Sequence, residues 1–409
     1  MRRLDRYEEV VGRREVQRLS RLAERLAGKR IVHVNSTRSG GGVAEILGWM
    51  IPLMQELGID ARWEVITGPP DFYHVTKAFH NGLQGLPVSL KPSDFDLHYE
   101  VNRENAQRLN LEADIVFIHD PQPIYLAHFT PEGQVQKWIW RCHIDASRPQ
   151  RAVWKYLEQA LPKYCAAIFS MAAFTRPLDQ PMFVIPPSID PLSDKNCPLP
   201  EAERLETLTR LGIAPDRPLL LQVSRFDRFK DPLGVMEAYR LLKSYYPELQ
   251  LALAGGTADD DPEGTEVLQQ VLEQKGDDPD LKVLLLPPDS HRTINALQRS
   301  AIVILQKSLR EGFGLTVTEA LWKGKPVIGG ACGGITLQVH DYHTGFLVYS
   351  PSGAAYRIRY LLRYAEKRLR MGQNGCDLVR EHFLLTRHLR DYLTMLLCLD
   401  HPESCTLVV

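Results

Sequence analysis

The feature that most constrains this chain is an alternation that breaks once and then restarts: short β-branched runs separated by longer amphipathic segments. Strand-length runs at 30–35, 61–66, 114–118, 137–141 and 166–170 alternate with helical periodicity over 43–57, 72–83, 101–109 and 151–161. Parallel strands need a crossover long enough for a helix, so this order predicts βαβ units. Residues 186–200, opening Pro186, Pro187, Ser188, Ile189, Asp190, Pro191, interrupt the pattern and read as a linker. Beyond them the runs 218–224, 249–254, 282–286, 301–305, 326–328 and 345–348 resume it.

The expected fold class is therefore α/β, with two Rossmann-like domains in succession. The first covers residues 1–190 and the second 191–382, each with its own core, since 409 residues are too many for one. Val11, Leu19, Leu22 and Leu26 fit one helical face and predict a helical extension before the first strand. Leu384, Leu385, Leu389, Tyr392, Leu393 and Leu396 fit another, so a helix within 383–409 is expected to complete the first domain.

Charge and composition exclude several classes of function. A net charge of −1 gives no field suited to gripping nucleic acid. No apolar run approaches the roughly 20 residues of a membrane span, and the first 29 residues mix charged and apolar types unlike a secretion signal. A cytoplasmic protein with no membrane partner is the expectation. Seven singly scattered cysteines make neither a disulfide framework nor a zinc ribbon, and His340 with His343 is too isolated for a metal site, so no metal ligands are assigned.

Three segments carry chemistry. The first is Asn35-Ser36-Thr37-Arg38-Ser39-Gly40-Gly41-Gly42, directly after the first strand and opening a helix. Glycines there admit a close backbone approach, and a helix start favours an anion, although such glycines also serve turns alone. The second places Arg225 and Lys230 just past the first strand of the second half, where two cations would suit a diphosphate; a solvated basic turn is the plainer alternative. The third is Glu311-Gly312-Phe313-Gly314-Leu315-Thr316-Val317-Thr318-Glu319. Backbone N–H groups from Phe313 to Thr316 can face a phosphate, and two carboxylates can accept hydrogen bonds from vicinal hydroxyls. In open α/β sheets ligands bind beyond the carboxyl ends of the strands, which is where all three segments lie.

Together the Glu311 and Glu319 spacing, the Arg225 and Lys230 pair and the 40–42 glycines resemble the retaining glycosyltransferases of family 4, with the GT-B fold. The resemblance continues through His33-Val34-Asn35-Ser36-Thr37, Phe79-His80-Asn81, His119-Asp120-Pro121-Gln122-Pro123, Trp140-Arg141-Cys142-His143-Ile144-Asp145, Pro187-Ser188-Ile189-Asp190-Pro191 and Gly333-Gly334-Ile335. These segments span nearly the whole chain and are similar to the trehalose glycosyltransferring synthases.

The resemblance implies a GT-B arrangement, with the two domains facing across a cleft that holds a nucleoside-diphosphate glucose. Arg225 and Lys230 would then hold the diphosphate, with Gly41 and Gly42 on its other side and Gly312, Phe313, Gly314, Leu315 and Thr316 lining the donor site. Glu311 would bind the donor-sugar hydroxyls, Glu319 the ribose hydroxyls, and His143 the donor sugar near the reacting carbon. Asn35, His80, Asp120 and Asp145 are the acceptor candidates. Glucose would be the acceptor and α,α-trehalose the product of a reversible, configuration-retaining transfer. No tightly bound cofactor is implied, and Mg2+ enters only as an optional counter-ion of the diphosphate. A trehalose phosphorylase, a nucleotide-sugar epimerase and a non-catalytic nucleotide-sugar sensor stay open as alternatives. So do the base, which would be read around residues 257–288 in UDP-glucose, ADP-glucose or another donor, and the choice between monomer and homodimer.

Overall fold

The computed structural model describes residues 3–39, 41–256 and 262–401. Gly40 of the first glycine run and residues 257–261 of the expected base-reading stretch lie outside the described residues. The chain divides into two units, residues 1–188 with 385–409, and residues 189–384.

In the first unit six strands form one parallel sheet: β1 (Arg30–Asn35), β2 (Asp60–Val65), β3 (Ala113–His119), β4 (Val135–Cys142), β5 (Ala166–Phe169) and β6 (Met182–Val184). Their spatial order is β2-β1-β3-β4-β5-β6. Central strands are apolar on both faces, as a sheet covered by helices on both sides requires: Ile31, Val32, Val116, Phe117, Ile139 and Trp140 are buried. The strand order reverses direction between β1 and β3, and at such a switch point the following loops diverge and leave room for a ligand.

The second unit repeats the design with β7 (Leu219–Val223), β8 (Gln250–Gly255), β9 (Leu281–Leu285), β10 (Val303–Gln306), β11 (Val327–Gly330) and β12 (Gly345–Val348), again all parallel. The order β12-β11-β10-β7-β8-β9 puts its switch point between β7 and β10. Two Rossmann-like α/β sheets are thus present, the fold class that the alternation predicts.

Three features differ from the sequence reading. Strand β6 was not expected, and the helix expected at 101–109 begins nine residues earlier, as Pro92–Arg108. The units part at Ser188–Ile189, inside the expected linker 186–200, but residues 189–200 are fastened to the second unit. Ile189 bridges Leu384, and Asn196 Nδ2 donates to the Asp190 carbonyl. Asn295 donates to the Asp194 and Cys197 carbonyls, while Lys323 Nζ donates to Asn196 Oδ1. The segment is a strap tied to the second unit by side chains from distant helices. The N-terminal extension is two helices, Arg3–Val11 and Arg13–Glu24, parted at Gly12. The second packs on the Leu385–Asp400 helix, where Arg390 pairs with Glu15 at 2.8 Å. No described helix is long and apolar enough to cross a membrane.

Candidate active site

In the second unit the switch point assembles a charged cluster from the loops after β7 and β10. The β7 loop is held by capping bonds: Asp227 Oδ1 accepts from the Phe229 N–H at 2.7 Å, and Gln222 Nε2 donates to the Lys230 carbonyl at 2.7 Å. Asp231, at φ 49°, accepts from the Gly234 N–H to start the Pro232–Lys243 helix, and it pairs with buried Lys307. These bonds fix the backbone from which Lys230 projects.

Lys230 Nζ lies 2.8 Å from both carboxylate oxygens of Glu311. Gln306 Nε2 and Ser308 Oγ donate to Glu311 Oε2 at 3.2 and 3.0 Å. Oε2 therefore carries three hydrogen bonds and Oε1 one, so Oε1 has the larger remaining capacity to accept from a hydroxyl. Arg225, 60% exposed, lies 3.9 Å from the Asp227 carboxylate. Its guanidinium is not drawn into the Lys230–Glu311 cluster.

Glu319 is placed elsewhere. It lies in the Leu315–Trp322 helix, is 1% exposed, and is held by Lys195 at 3.4 Å and Gln298 Nε2 at 3.2 Å. Lys195 comes from the strap. The helix begins at Gly314, at φ 81°, which a non-glycine residue adopts only with strain. Gly312, Phe313, Gly314, Leu315 and Thr316 form the turn into that helix, whose first N–H groups have no intrahelical partner. The turn is locked by the segment after β11: Gly334 N–H donates to the Gly312 carbonyl at 2.7 Å and Gln338 Nε2 to the Phe313 carbonyl at 2.7 Å.

This lock needs Gly333. It sits at φ 47°, and a Cβ there would lie 1.7 Å from the Glu311 carbonyl oxygen. Gly333→Ala should therefore destabilise the unit by about 3 kcal/mol, from overpacking and backbone strain combined. Urea unfolding measures it, and a wild-type midpoint would show that the Glu311 loop accommodates the methyl group.

In the first unit the corresponding edge carries the other candidates. Asn35, at the end of β1, is buried and engaged at both ends, accepting from Trp63 Nε1 at 2.8 Å and donating to the Thr37 carbonyl at 2.8 Å. Asp120 follows β3 at φ 64°, and its Oδ1 accepts from the His143 backbone N–H at 2.7 Å. Burial pushes the Asp120 carboxyl up to about 7, against the lowering effects of that N–H and of Arg141. Asp145 Oδ1 accepts from the Ser147 N–H and Oγ, which shapes its own turn. His80 lies on the Pro70–Leu83 helix, its Nε2 2.7 Å from Gln84 Nε2. Gly41, at φ 83°, and Gly42 open the Gly42–Glu56 helix.

The structure thus joins Lys230 to Glu311 and Asp120 to His143. It gives Arg225 and Glu319 other partners. Sequence reasoning missed Lys195, Gln298, Gln306 and Ser308 as supports of the two glutamates. It also assigned no role to His33 and His119, which lie in a buried chain with His143: His33 Nδ1 is 3.0 Å from His119 Nε2, and His119 Nδ1 is 3.0 Å from His143 Nε2. Among the described residues no group of three or more His, Cys, Asp and Glu side chains is placed to hold a metal ion.

Two family models match this chain. Residues 33–176 match "Trehalose synthase, N-terminal domain" and residues 204–377 match "Glycosyl transferases group 1". A trehalose synthase of Thermococcus litoralis is 48% identical over 400 residues, covering 97% of each chain. A trehalose phosphorylase of Pleurotus pulmonarius is 30% identical over 401 residues, covering 84% of this chain and 54% of the phosphorylase. Among solved structures, an α,α-trehalose-phosphate synthase (UDP-forming) of Burkholderia xenovorans superposes with a TM-score of 0.71 at 16% identity, covering 90% of this chain and 100% of the other. At that identity the superposition speaks for the fold alone.

Proposed function

The chain belongs to the trehalose synthase family of glycosyltransferases, and from that premise we propose that it transfers glucose from a nucleoside-diphosphate glucose to the anomeric hydroxyl of free glucose, giving α,α-trehalose reversibly and with retention. The observation that carries the reading is the Lys230–Glu311 pair at the switch point between β7 and β10. A cation and a carboxylate held against each other at that edge match a ligand with an anionic diphosphate on one side and sugar hydroxyls on the other.

In this reading Lys230 and Arg225 hold the diphosphate, and Glu311 Oε1 accepts from the donor-sugar hydroxyls. The bond from the anomeric carbon to the leaving phosphate oxygen breaks as charge builds on that oxygen. The acceptor oxygen bonds to the same face of the carbon, and its proton passes to the departing diphosphate. Lys230 and Arg225 act on the growing negative charge, and the backbone that carries Lys230 is already fixed by its caps. No protein nucleophile is needed. Glu319 reads the ribose, Gly41 and Gly42 approach the diphosphate, and Asn35, His80, Asp120, Asp145 and His143 serve the sugars.

The phosphorylase likeness supplies the competing outcome. Purified protein should form trehalose from nucleoside-diphosphate glucose and glucose, releasing nucleoside diphosphate in equal amount. Trehalose formed only from glucose 1-phosphate, with release of inorganic phosphate, would replace the proposal with a phosphorylase. Hydrolysis or epimerisation without an acceptor product would remove both.

A further inference from the structure

We propose that His33 and His119 are positioning residues that fix His143 as a hydrogen-bond donor at Nδ1, poised to orient a hexose hydroxyl by its oxygen lone pair. The inference rests on the reading that His143 serves a sugar. The three rings stand on adjacent strands at the carboxyl edge of the first sheet: His33 within β1, His119 closing β3, His143 just past β4. Both nitrogen–nitrogen separations are 3.0 Å while the ring centroids are 5.3 and 5.4 Å apart, so the rings meet edge to edge. That is hydrogen-bonding geometry and not face stacking.

Burial keeps the rings neutral. Desolvation lowers His33 to about 3, and lowers His119 and His143 well below the ordinary histidine range, with neighbouring positive groups adding to the effect. A neutral imidazole has one N–H and one bare nitrogen, so a chain of three must run in one of two senses. The buried end decides which. His33 is fully buried, stacked on Phe117 with centroids 4.5 Å apart, and its Nε2 has no hydrogen-bond partner.

If His143 donated to His119 and His119 to His33, that Nε2 would be an N–H sealed without an acceptor. In the opposite sense it is only a bare lone pair, and unpaired buried N–H groups are the rarer of the two. The chain therefore runs from His33 Nδ1–H to His119 Nε2 and from His119 Nδ1–H to His143 Nε2. His143, the half-buried member, is left with its N–H at Nδ1. Its main chain is anchored separately, by the N–H bond to Asp120.

Nitrogen-15 correlation spectra of histidine-labelled protein read each tautomer directly. Wild-type His143 should carry its proton on Nδ1 alone. His119→Leu should leave His143 in a mixture of tautomers and lower kcat about tenfold, the scale of one lost positioning hydrogen bond, with KM changed less than about twofold. His119→Asn, whose amide nitrogen overlies Nδ1 and still donates to His143 Nε2, should restore the single tautomer and most of the rate. A wild-type His143 protonated on Nε2 overturns the proposal, whether or not the variants fold. A folded His119→Leu protein with His143 still wholly Nδ1-protonated overturns it too. His143→Ala with full turnover would instead refute the sugar-binding role of His143, and the spectra would still decide the relay.

Discussion

Lys230→Ala is expected to lower kcat about 10²–10³-fold at saturating donor and acceptor, the usual cost of removing one preorganised group that faces developing charge. It should also destabilise the second unit, which separates it from Arg225→Ala. Lys230 lies against both oxygens of a Glu311 carboxylate that is 9% exposed. Removing the cation leaves that carboxylate to Gln306 and Ser308 among the described residues, a loss of about 2 kcal/mol. Arg225 is 60% exposed and 3.9 Å from Asp227, so its removal should change stability by less than about 0.5 kcal/mol while still lowering kcat. Steady-state kinetics paired with urea unfolding checks both variants. A folded Arg225→Ala enzyme with unchanged kcat would remove Arg225 from the diphosphate grip.

The uneven fates of these two cations show what a sequence can and cannot reveal. Arg225 and Lys230 were legible together because a strand period ends at Val223 and places both at a ligand-facing edge. Nothing in that segment says that Lys230 is paired with a residue 81 positions away. Likewise the sheets were legible because apolar runs repeat with strand length, whereas β6 was not: three residues at a sheet edge, with Met182 and Val184 exposed, carry no periodicity. The first half of the Pro92–Arg108 helix was hidden for a related reason. The one buried residue of that half is His98, a polar ring that meets the Gln122 carbonyl, so no apolar stripe marks its face.

The strap shows composition marking the break between the units, which falls at Ser188–Ile189, while hiding how the rest of the segment is fastened. Proline and charge over 186–200 read as a linker, yet Asn295, Arg299 and Lys323 tie its backbone and Asn196 to the second unit. Those bonds come from residues roughly a hundred or more positions away, and no local pattern encodes them. Lys195, which faces Glu319, was invisible for the same reason.

That pairing sharpens the division of labour between the glutamates. Glu319→Gln is expected to weaken binding of the nucleoside diphosphate product about 10–100-fold, the range for a lost hydrogen bond to a charged group. Glu311→Gln should leave that affinity within about threefold while lowering glucosyl transfer about a hundredfold, because the free diphosphate lacks the sugar that Glu311 would bind. Glu319 is nearly inaccessible and already holds Lys195 and Gln298, so its effect through the helix has to be separated from its effect on the ribose. A second ligand resolves this. A 2′,3′-dideoxy nucleoside diphosphate has no hydroxyl for Glu319 to accept from, so wild-type enzyme should bind it as weakly as Glu319→Gln binds the natural product. Glu319→Gln should then bind the two ligands alike. If calorimetric titration finds that the variant still prefers the hydroxylated ligand by the wild-type margin, Glu319 is a support for the Leu315–Trp322 helix, and the ribose is read by other groups.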